Sequence, residues 1–410
     1  MSVLHPVCCG LDVHKKTISA CLINTNTNGE QEYEIKEFKT FTHDLLLLKE
    51  WIVSNNCSVV AMESTGVYWR PVHNVIEGIV DVKLVNARHI KNVPGRKTDI
   101  EDSKWLAGLL RNGLVKGSFI PDKAVRQWRD LVTLRKSHTK TVGDYKRRVH
   151  KLFECANIKI SSVVSDLFGV TSRNLMSMLC DENASIDFAT VEKCARGSLK
   201  KKVPELVLSI EGFFENHHCI QLKSMLAVID HHNHEVAAIT KRLDCLMSDH
   251  LELLNRLDEI PGIDKLASQS IISYIGTDLN AFPNEAALCS WAGLCPGNNE
   301  SAGKRKSGKS PVRKHPFKTL MVEIAWAAIK KNGSYYKEKY YRLKSRRGAK
   351  KAIVATAHTI LKAIFHIIKF GKTFKEPGED FFVKRNKAKK LYSLQKQSEK
   401  LGFKLVPVKA

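Results

Sequence analysis

Apolar residues over the first 115 positions change their period several times, and the changes mark out elements. Residues 7–13, 17–24 and 32–38 read as three strands, with the Asn26 to Gly29 cluster as a hairpin loop. A helix is predicted over 44–54, buried strands over 58–62 and 82–85, and a second helix over 99–111 with Gly113 as its stop. Three consecutive strands followed by helix–strand alternation predict a mixed α/β sheet domain. From Pro121 long helical periods take over. Val142, Tyr145, Val149 and Leu152 recur at spacings of three, four and three, a coiled-coil-like seam, and residues 221–257 carry a helical pattern suited to an antiparallel partner. Residues 157–215, between them, hold no clear period.

Ile260-Pro261-Gly262-Ile263 breaks one helix and starts another that runs to Gly276, which reads equally as a plain helix–helix turn or as a helix-hairpin-helix, whose use is to point backbone N–H groups at a phosphate. Residues 352–370 are apolar but interrupted by His358, Lys362 and His366 at four-residue spacing, which predicts a buried amphipathic helix rather than a membrane span. The expected division is 1–118 (mixed sheet), 119–257 (helical arm with an undefined insertion), 258–373 (C-terminal helical domain) and 374–410 (basic tail). The fold class is α/β plus all-α.

Composition enters where it changes this picture. The chain has 410 residues, enough for several real cores, and its 43% hydrophobic and 26% charged content excludes wholesale disorder and collagen-like repeats. Residues 1–300 are balanced at 36 basic and 36 acidic side chains, whereas 301–410 carry 30 basic and 6 acidic, the whole of the net +24. A field of that size at one end attracts a polyanion, nucleic acid before an anionic membrane. The N-terminus lacks the basic start and apolar core of a secretory signal, and eleven dispersed cysteines without a C-x-x-C pair suit reduced thiols, so a cytoplasmic protein without structural zinc is expected. Adjacent histidines at His231, His232 and His234, with His217 and His218 nearby, point to different helix faces and are not read as a metal site. Trp69, Trp105, Trp291 and Trp326 are expected in the core. Tyr335, Tyr336, Tyr340 and Tyr341, interleaved with Lys337, Lys339, Arg342 and Lys344, suit either core packing or stacking on unpaired bases.

Two constellations carry chemistry. Asp12 lies within an apolar strand and Glu63 ends another, and a carboxylate in such a place is costly unless a cation or donor meets it. Asp99 and Asp102, three apart, project from one helix face. Four such carboxylates suit Mg²⁺, or Mn²⁺, holding a phosphodiester, while each alone also reads as a strand-end or first-turn charge. Second, Ser301 lies in a small Gly/Asn/Ser segment followed by Lys304, Arg305, Lys306, Lys309, Arg313 and Lys314. From residue types alone this is a solvated basic loop that positions nucleic acid; it also suits a serine nucleophile with cations around a pentacovalent phosphorus.

The segments Gly10-Leu11-Asp12-Val13-His14-Lys15, Met62-Glu63-Ser64-Thr65-Gly66-Val67-Tyr68 and Lys97-Thr98-Asp99-Ile100-Glu101-Asp102 resemble the three acidic motifs of the DEDD transposases of bridge-RNA-guided insertion sequences, the IS-one-ten class, which includes the Piv-type DNA invertases. The stretch from Ala292 to Lys304 resembles the serine-containing C-terminal domain of the same family, and residues 322–329 its Ala-rich helix. The likeness spans roughly residues 5–155 and 255–370. It implies a RuvC-like, RNase H-like first domain, a divalent metal at Asp12, Glu63, Asp99 and Asp102, and Ser301 as a nucleophile forming a 5′-phosphoserine link. It further implies double-stranded DNA at element ends and target, a bridge RNA, and a homo-oligomer, dimer or tetramer, with no membrane. Ala302 stands where the motif has its second glycine and residues 315–319 depart from it, which leaves Ser307 as an alternative nucleophile. The expected activity is cutting and rejoining of DNA; a metal-dependent junction-resolving endonuclease and a non-catalytic nucleic-acid-binding regulator are the other readings.

Overall fold

The computed structural model describes residues 3–26, 29–63, 66–85, 99–181, 187–297, 299–301, 304–307, 315–404 and 406, with side chains described for all of these except 99–101, 299–301, 304–307 and 388–390. The chain forms two compact units, Met1–Ile120 and Pro121–Ala410.

In the first unit β1 (Val7–Val13), β2 (Thr17–Thr25) and β3 (Gln31–Lys39) form an antiparallel meander. Helix α1 (Thr42–Ser54) then carries the chain back so that β4 (Val59–Glu63) lies parallel to β1, because a parallel pair needs a crossover. After α2 (Trp69–Ile76), β5 (Asp81–Val85) adds parallel to β4, and α3 (Asp99–Arg111) completes the unit. The sheet order is β3-β2-β1-β4-β5. That order, with two antiparallel and two parallel pairings, is the RNase H-like arrangement. Helix α2 was not foreseen in the sequence; it has eight residues and holds Pro71 in its first turn, where proline is tolerated but hides the pattern.

Strand periodicity sorts β1 between two cores. Leu11 and Val13, with Cys9, pack with Leu48, Trp51 and Ile76 on the α1/α2 side. Cys8 turns to the other side, against Ala107 and Leu110 of α3, and Gly10 and Asp12 share that face. Gly10 is where helix and strand touch: a Cβ there would lie 2.2 Å from the Ser103 carbonyl oxygen and 2.6 Å from the Ala107 nitrogen.

The second unit opens with α4 (Lys123–Cys155), paired antiparallel with α5 (Asn216–Leu246), His138 facing His232 midway along and Phe153 facing Phe214, just before α5, at one end. Val142, Val149 and Leu152 are buried along the seam. The expected helix over 221–257 is interrupted: α5 ends at Leu246, a 3-10 turn spans Ser248–His250, and α6 covers Leu251–Asp258. Ser248 and Asp249, whose side chains compete for backbone partners, occupy the break. The described residues of 157–215 are not irregular. They form short helices, among them Val170–Leu179, Phe188–Cys194 and Val203–Ile210, closing with the arm's tip around a core that includes Ile158, Ile160, Leu175, Leu206 and Ile210. Elements of seven to ten residues are too short to print a clear period on the sequence.

At the other end of the arm, buried Arg135 donates to Gln269 Oε1 at 2.7 Å and the Leu266 carbonyl at 3.2 Å, while Gln269 Nε2 donates to Asp244 at 2.7 Å. This ties α4 and α5 to α7 (Lys265–Ile275). The Pro-Gly turn before α7 is present, but Gly262 (φ +85°) is pressed on a neighbouring helix, with Ile324 O and Ala328 N within 2.6 Å of where a Cβ would stand. Asp264 caps α7, accepting from Ala267 N at 2.7 Å.

The remaining elements are α8 (Glu285–Trp291), β6 (Asn299–Ser301), β7 (Lys304–Ser307), α9 (Pro316–Ala328), α10 (Tyr335–Arg347), α11 (Ala349–Phe370) and α12 (Phe381–Lys400). Among the described residues α11 alone is long and apolar enough to cross a membrane, and it packs against α6, α8, α9 and α10 with Ile360, Leu361, Ile364 and Phe365 buried. Its polar stripe has a partner: Glu285 of α8 receives Lys362 at 2.8 Å and His366 at 3.2 Å.

Replacing Gly10 by valine is expected to push α3 off β1 and cost at least ~2 kcal/mol, since backbone rather than a movable side chain fills the space. Urea unfolding measures it, and an unchanged midpoint would refute the close contact.

Candidate functional site

Because Leu11 pairs with Met62, Asp12 and Glu63 occupy neighbouring positions on adjacent parallel strands, facing the same side with strands about 4.8 Å apart. On the other flank of β1, Asp12 lies opposite Ser19. The third carboxylate comes from the first turn of α3: the Ser103 carbonyl rests over Gly10, the Ser103 hydroxyl is 3.1 Å from that of Ser19, and Asp102 precedes it. Two carboxylates at strand ends and one at a helix start thus lie near enough for Asp102 and Glu63 to act on the charge of Asp12. The backbone of Asp99 begins α3, while its side chain lies outside the described residues.

Asp12 is 9% exposed and its pKa is raised, first by burial and further by the negative charges of Asp102 and Glu63. His14 works the other way. Its Nε2 stands 3.1 Å from Asp12 Oδ2, and its charge and hydrogen bond pull the pKa down. His14 is a residue of the first acidic motif to which the sequence pattern assigns no part. The signal was there in the i, i+2 spacing, but the bond forms because β1 ends at Val13 and His14 N donates to Thr17 O at 2.9 Å, turning the ring back. Burial also pushes the Cys8 thiol up to about 12 and those of Cys21 and Cys57 to about 11, so these neighbours are not nucleophiles at neutral pH.

Hard oxygen donors that repel one another are what a divalent cation such as Mg²⁺ requires, and Asp12, Glu63 and Asp102 fit that requirement in type and charge. Among the described residues no three His, Cys, Asp or Glu side chains are yet gathered at ligand distance.

In the second unit Ser301 ends β6 and pairs with Lys304 of β7, and Glu300 pairs with Arg305. The serine is therefore in a bulged two-stranded ribbon rather than a free loop, its backbone polar groups engaged by the partner strand. Lys304, Arg305, Lys306 and Ser307 lie on β7. Lys309, Arg313 and Lys314 lie outside the described residues.

The aromatic expectations divide. Tyr336 and Tyr340 are buried core residues, while Tyr341 is exposed. Trp326 is 43% exposed, against expectation, because it falls on the outer face of α9 and only edges against Tyr340. His232 of the histidine cluster meets His138 across the helix pair, Nδ1 to Nδ1 at 2.6 Å.

Residues 9–157 match a family model described as a transposase, the DEDD transposases of IS110, and residues 254–342 match that of the IS116/IS110/IS902 transposase family. Among solved structures, that of Thermus thermophilus RuvC is similar over 27% of this chain and 99% of its own, at 13% identity and a TM-score of 0.22. The strand order, rather than that overlay, carries the fold. No curated protein matches the chain.

A raised pKa means that the folded state binds the Asp12 proton more tightly than the unfolded chain. Stability therefore falls as pH rises from 3.8 through the raised value, and ionised Asp12 is a net cost at neutral pH without metal. Asp12→Asn is expected to be more stable than wild type at pH 7 in chelator, the gap closing below about pH 4. Urea unfolding at both pH values checks this; a less stable variant at pH 7 would show the carboxylate to be satisfied.

Proposed function

Given that this chain belongs to the IS116/IS110/IS902 family of transposases, we propose that it cuts and rejoins DNA strands with metal-bound carboxylates in the first unit and the Ser301 hydroxyl in the second. The observation that supports this reading is that Asp12 and Glu63 occupy neighbouring positions on the central strands of an RNase H-like sheet, within electrostatic reach of Asp102. With Asp99 these residues would hold Mg²⁺, Mn²⁺ serving in its place, and the metal supplies charge stabilisation to the phosphodiester when bound.

The residues of the chain do the rest. Ser301 Oγ attacks phosphorus, a P–Oγ bond forms and the P–O3′ bond breaks, leaving a 5′-phosphoserine and a free 3′-hydroxyl. A carboxylate takes the serine proton, and the departing 3′ oxygen takes one in turn. Lys304, Arg305 and Lys306, with Lys309, Arg313 and Lys314, hold the phosphate and offset its growing charge. A 3′-hydroxyl from another strand reverses the step, so rejoining needs no external energy source. His14 keeps Asp12 ionised and oriented.

Sequence choice is assigned to an element-encoded bridge RNA that pairs with donor and target, which suits a protein whose +24 charge is concentrated after residue 300. The carboxylates and the serine are brought together in a homo-oligomer, with the α4/α5 arm making the contact between protomers. Such a protein works where its double-stranded DNA is, in the cytoplasm.

Covalent trapping tests the reading. Protein, Mg²⁺, co-expressed RNA and labelled element-junction DNA are expected to yield a denaturant-resistant adduct that is lost in both Ser301→Ala and Asp12→Ala. Cleavage that needs Asp12 but survives Ser301→Ala would replace the mechanism with that of a water-using junction nuclease, and an adduct in Ser301→Ala would move the nucleophile to Ser307. Mg²⁺ is also expected to raise the melting temperature of wild type but not of Asp12→Asn; equal shifts would remove Asp12 from the metal site.

A further inference from the structure

The basic tail is not a loose extension. Its helix α12 is seated on α10 by aromatic contacts: the Phe382 ring stacks on Tyr335 at 5.2 Å and 15°, and Phe381 meets the same ring edge-on at 5.1 Å. Upstream, Tyr335 N donates to Glu376 at 2.9 Å, which fixes the approach of the segment leading into α12.

This seating brings together cations from two helices. Lys339, Arg342 and Arg346 fall at i, i+3 and i+7 on one face of α10. Arg385 and Asn386 come from α12, one turn beyond Phe382, and the Arg342 guanidinium lies 5.0 Å from the Phe382 ring centre. Together they line a cleft of about 260 Å³ with no carboxylate among the lining residues. Among the described residues none of the four cations forms an ion pair. Lys339 Nζ donates only to the neutral hydroxyl of Thr359. Its ammonium is pushed down to about 8 by burial, then by the charges of Lys362 and Arg385. Among the described residues the neighbourhood is thus over-supplied with positive charge, which an anion from outside would offset.

We propose that the cleft between α10 and α12 is a phosphate clamp for a nucleic-acid strand, with Arg342, Arg346 and Arg385 gripping one phosphodiester group and Lys339 beneath it. Guanidinium forks match the paired oxygens of a phosphate, and arginine is held more readily than lysine in a half-dry site. An acidic peptide could satisfy the charge, but a chain of a DNA-handling family meets phosphodiesters first. Arg346, Phe382, Arg385 and Asn386 lie beyond the matched range that ends at residue 342, while Lys339 and Arg342 fall inside it, so the clamp joins a helix of the matched segment to one that the family model does not reach. It goes beyond the strand-transfer reading and does not depend on Asp12 or Ser301.

The test is fluorescence anisotropy with the full chain, using labelled single-stranded DNA and RNA of one sequence over a range of potassium chloride. Each phosphate contact contributes about 0.7 to the salt slope for a single strand, so Arg346→Gln/Arg385→Gln is expected to lower the slope by roughly 1 and weaken binding at low salt. The charge-retaining pair Arg346→Lys/Arg385→Lys should keep most of the slope. Lys396→Gln/Lys400→Gln, two exposed charges on the same helix away from the cleft, should keep the wild-type slope. An unchanged slope in the first variant, or an equal fall in the control, would overturn the clamp. A fall seen with one polymer names that strand as its ligand, and a fall with both assigns the shared backbone. A chain that shows this slope change yet forms no serine adduct would keep the clamp and lose the proposed mechanism.

Discussion

How closely α3 can lie on β1 decides what the carboxylate centre is. At Gly10 the backbone of the helix touches the backbone of the strand, with the Ser103 carbonyl where any side chain would be. The approach buries Ser103 and links it to Ser19 on β2. It also carries Asp102 down to the level of Asp12 and Glu63, whose spacing is already set by the parallel pairing of β1 and β4. Backbone-to-backbone contact is stiff, because closely packed interiors transmit a shift instead of absorbing it. A centre built this way does not rely on loops to hold its donors.

The same closeness creates electrostatic tension. Three acidic groups share a region where Asp12 is nearly enclosed, and one partly exposed histidine offsets only part of the repulsion. Folding stability elsewhere in the unit maintains the arrangement: the sheet is covered by apolar clusters on both faces, with Leu11, Met62 and Leu48 among the fully buried side chains. Local cost carried by a strong surrounding core is common where chemistry is done.

Much of this architecture was readable from the chain. The bounds of β1 and α3 agree with the pattern of residues 7–13 and 99–111, because a strand with strong β-branched and apolar content and a helix with a glycine stop both speak locally. The pattern by itself gives a mixed α/β sheet, and the RNase H-like form follows from the likeness of the acidic motifs, two at strand ends and one at a helix start. Less legible were features set by partners distant in sequence. The register that puts Asp12 beside Glu63 joins residues about fifty apart, and the turn that brings His14 back to Asp12 depends on where β1 stops. Short helices at Trp69–Ile76 and within 157–215 carry too few turns to show a period. The tail was read by charge alone, and its helix is held by Phe381 and Phe382, two residues that a count of lysines overlooks.

The tip of the arm has a topological property of its own. The chain leaves α4 at Ala156 and comes back at Phe213, and these two residues are joined directly, Phe213 N donating to Ala156 O at 2.8 Å, with Lys159 N reaching Ser209 O at 2.7 Å one step outward. Gly212 lies so near that a Cβ would stand 2.5 Å from the Ala156 oxygen. Departure and return therefore share one point, and the small helical core beyond it closes on itself. The tip is thus anchored like a cassette, by one short neck, and the helix pair below keeps its register independently of what the tip contains.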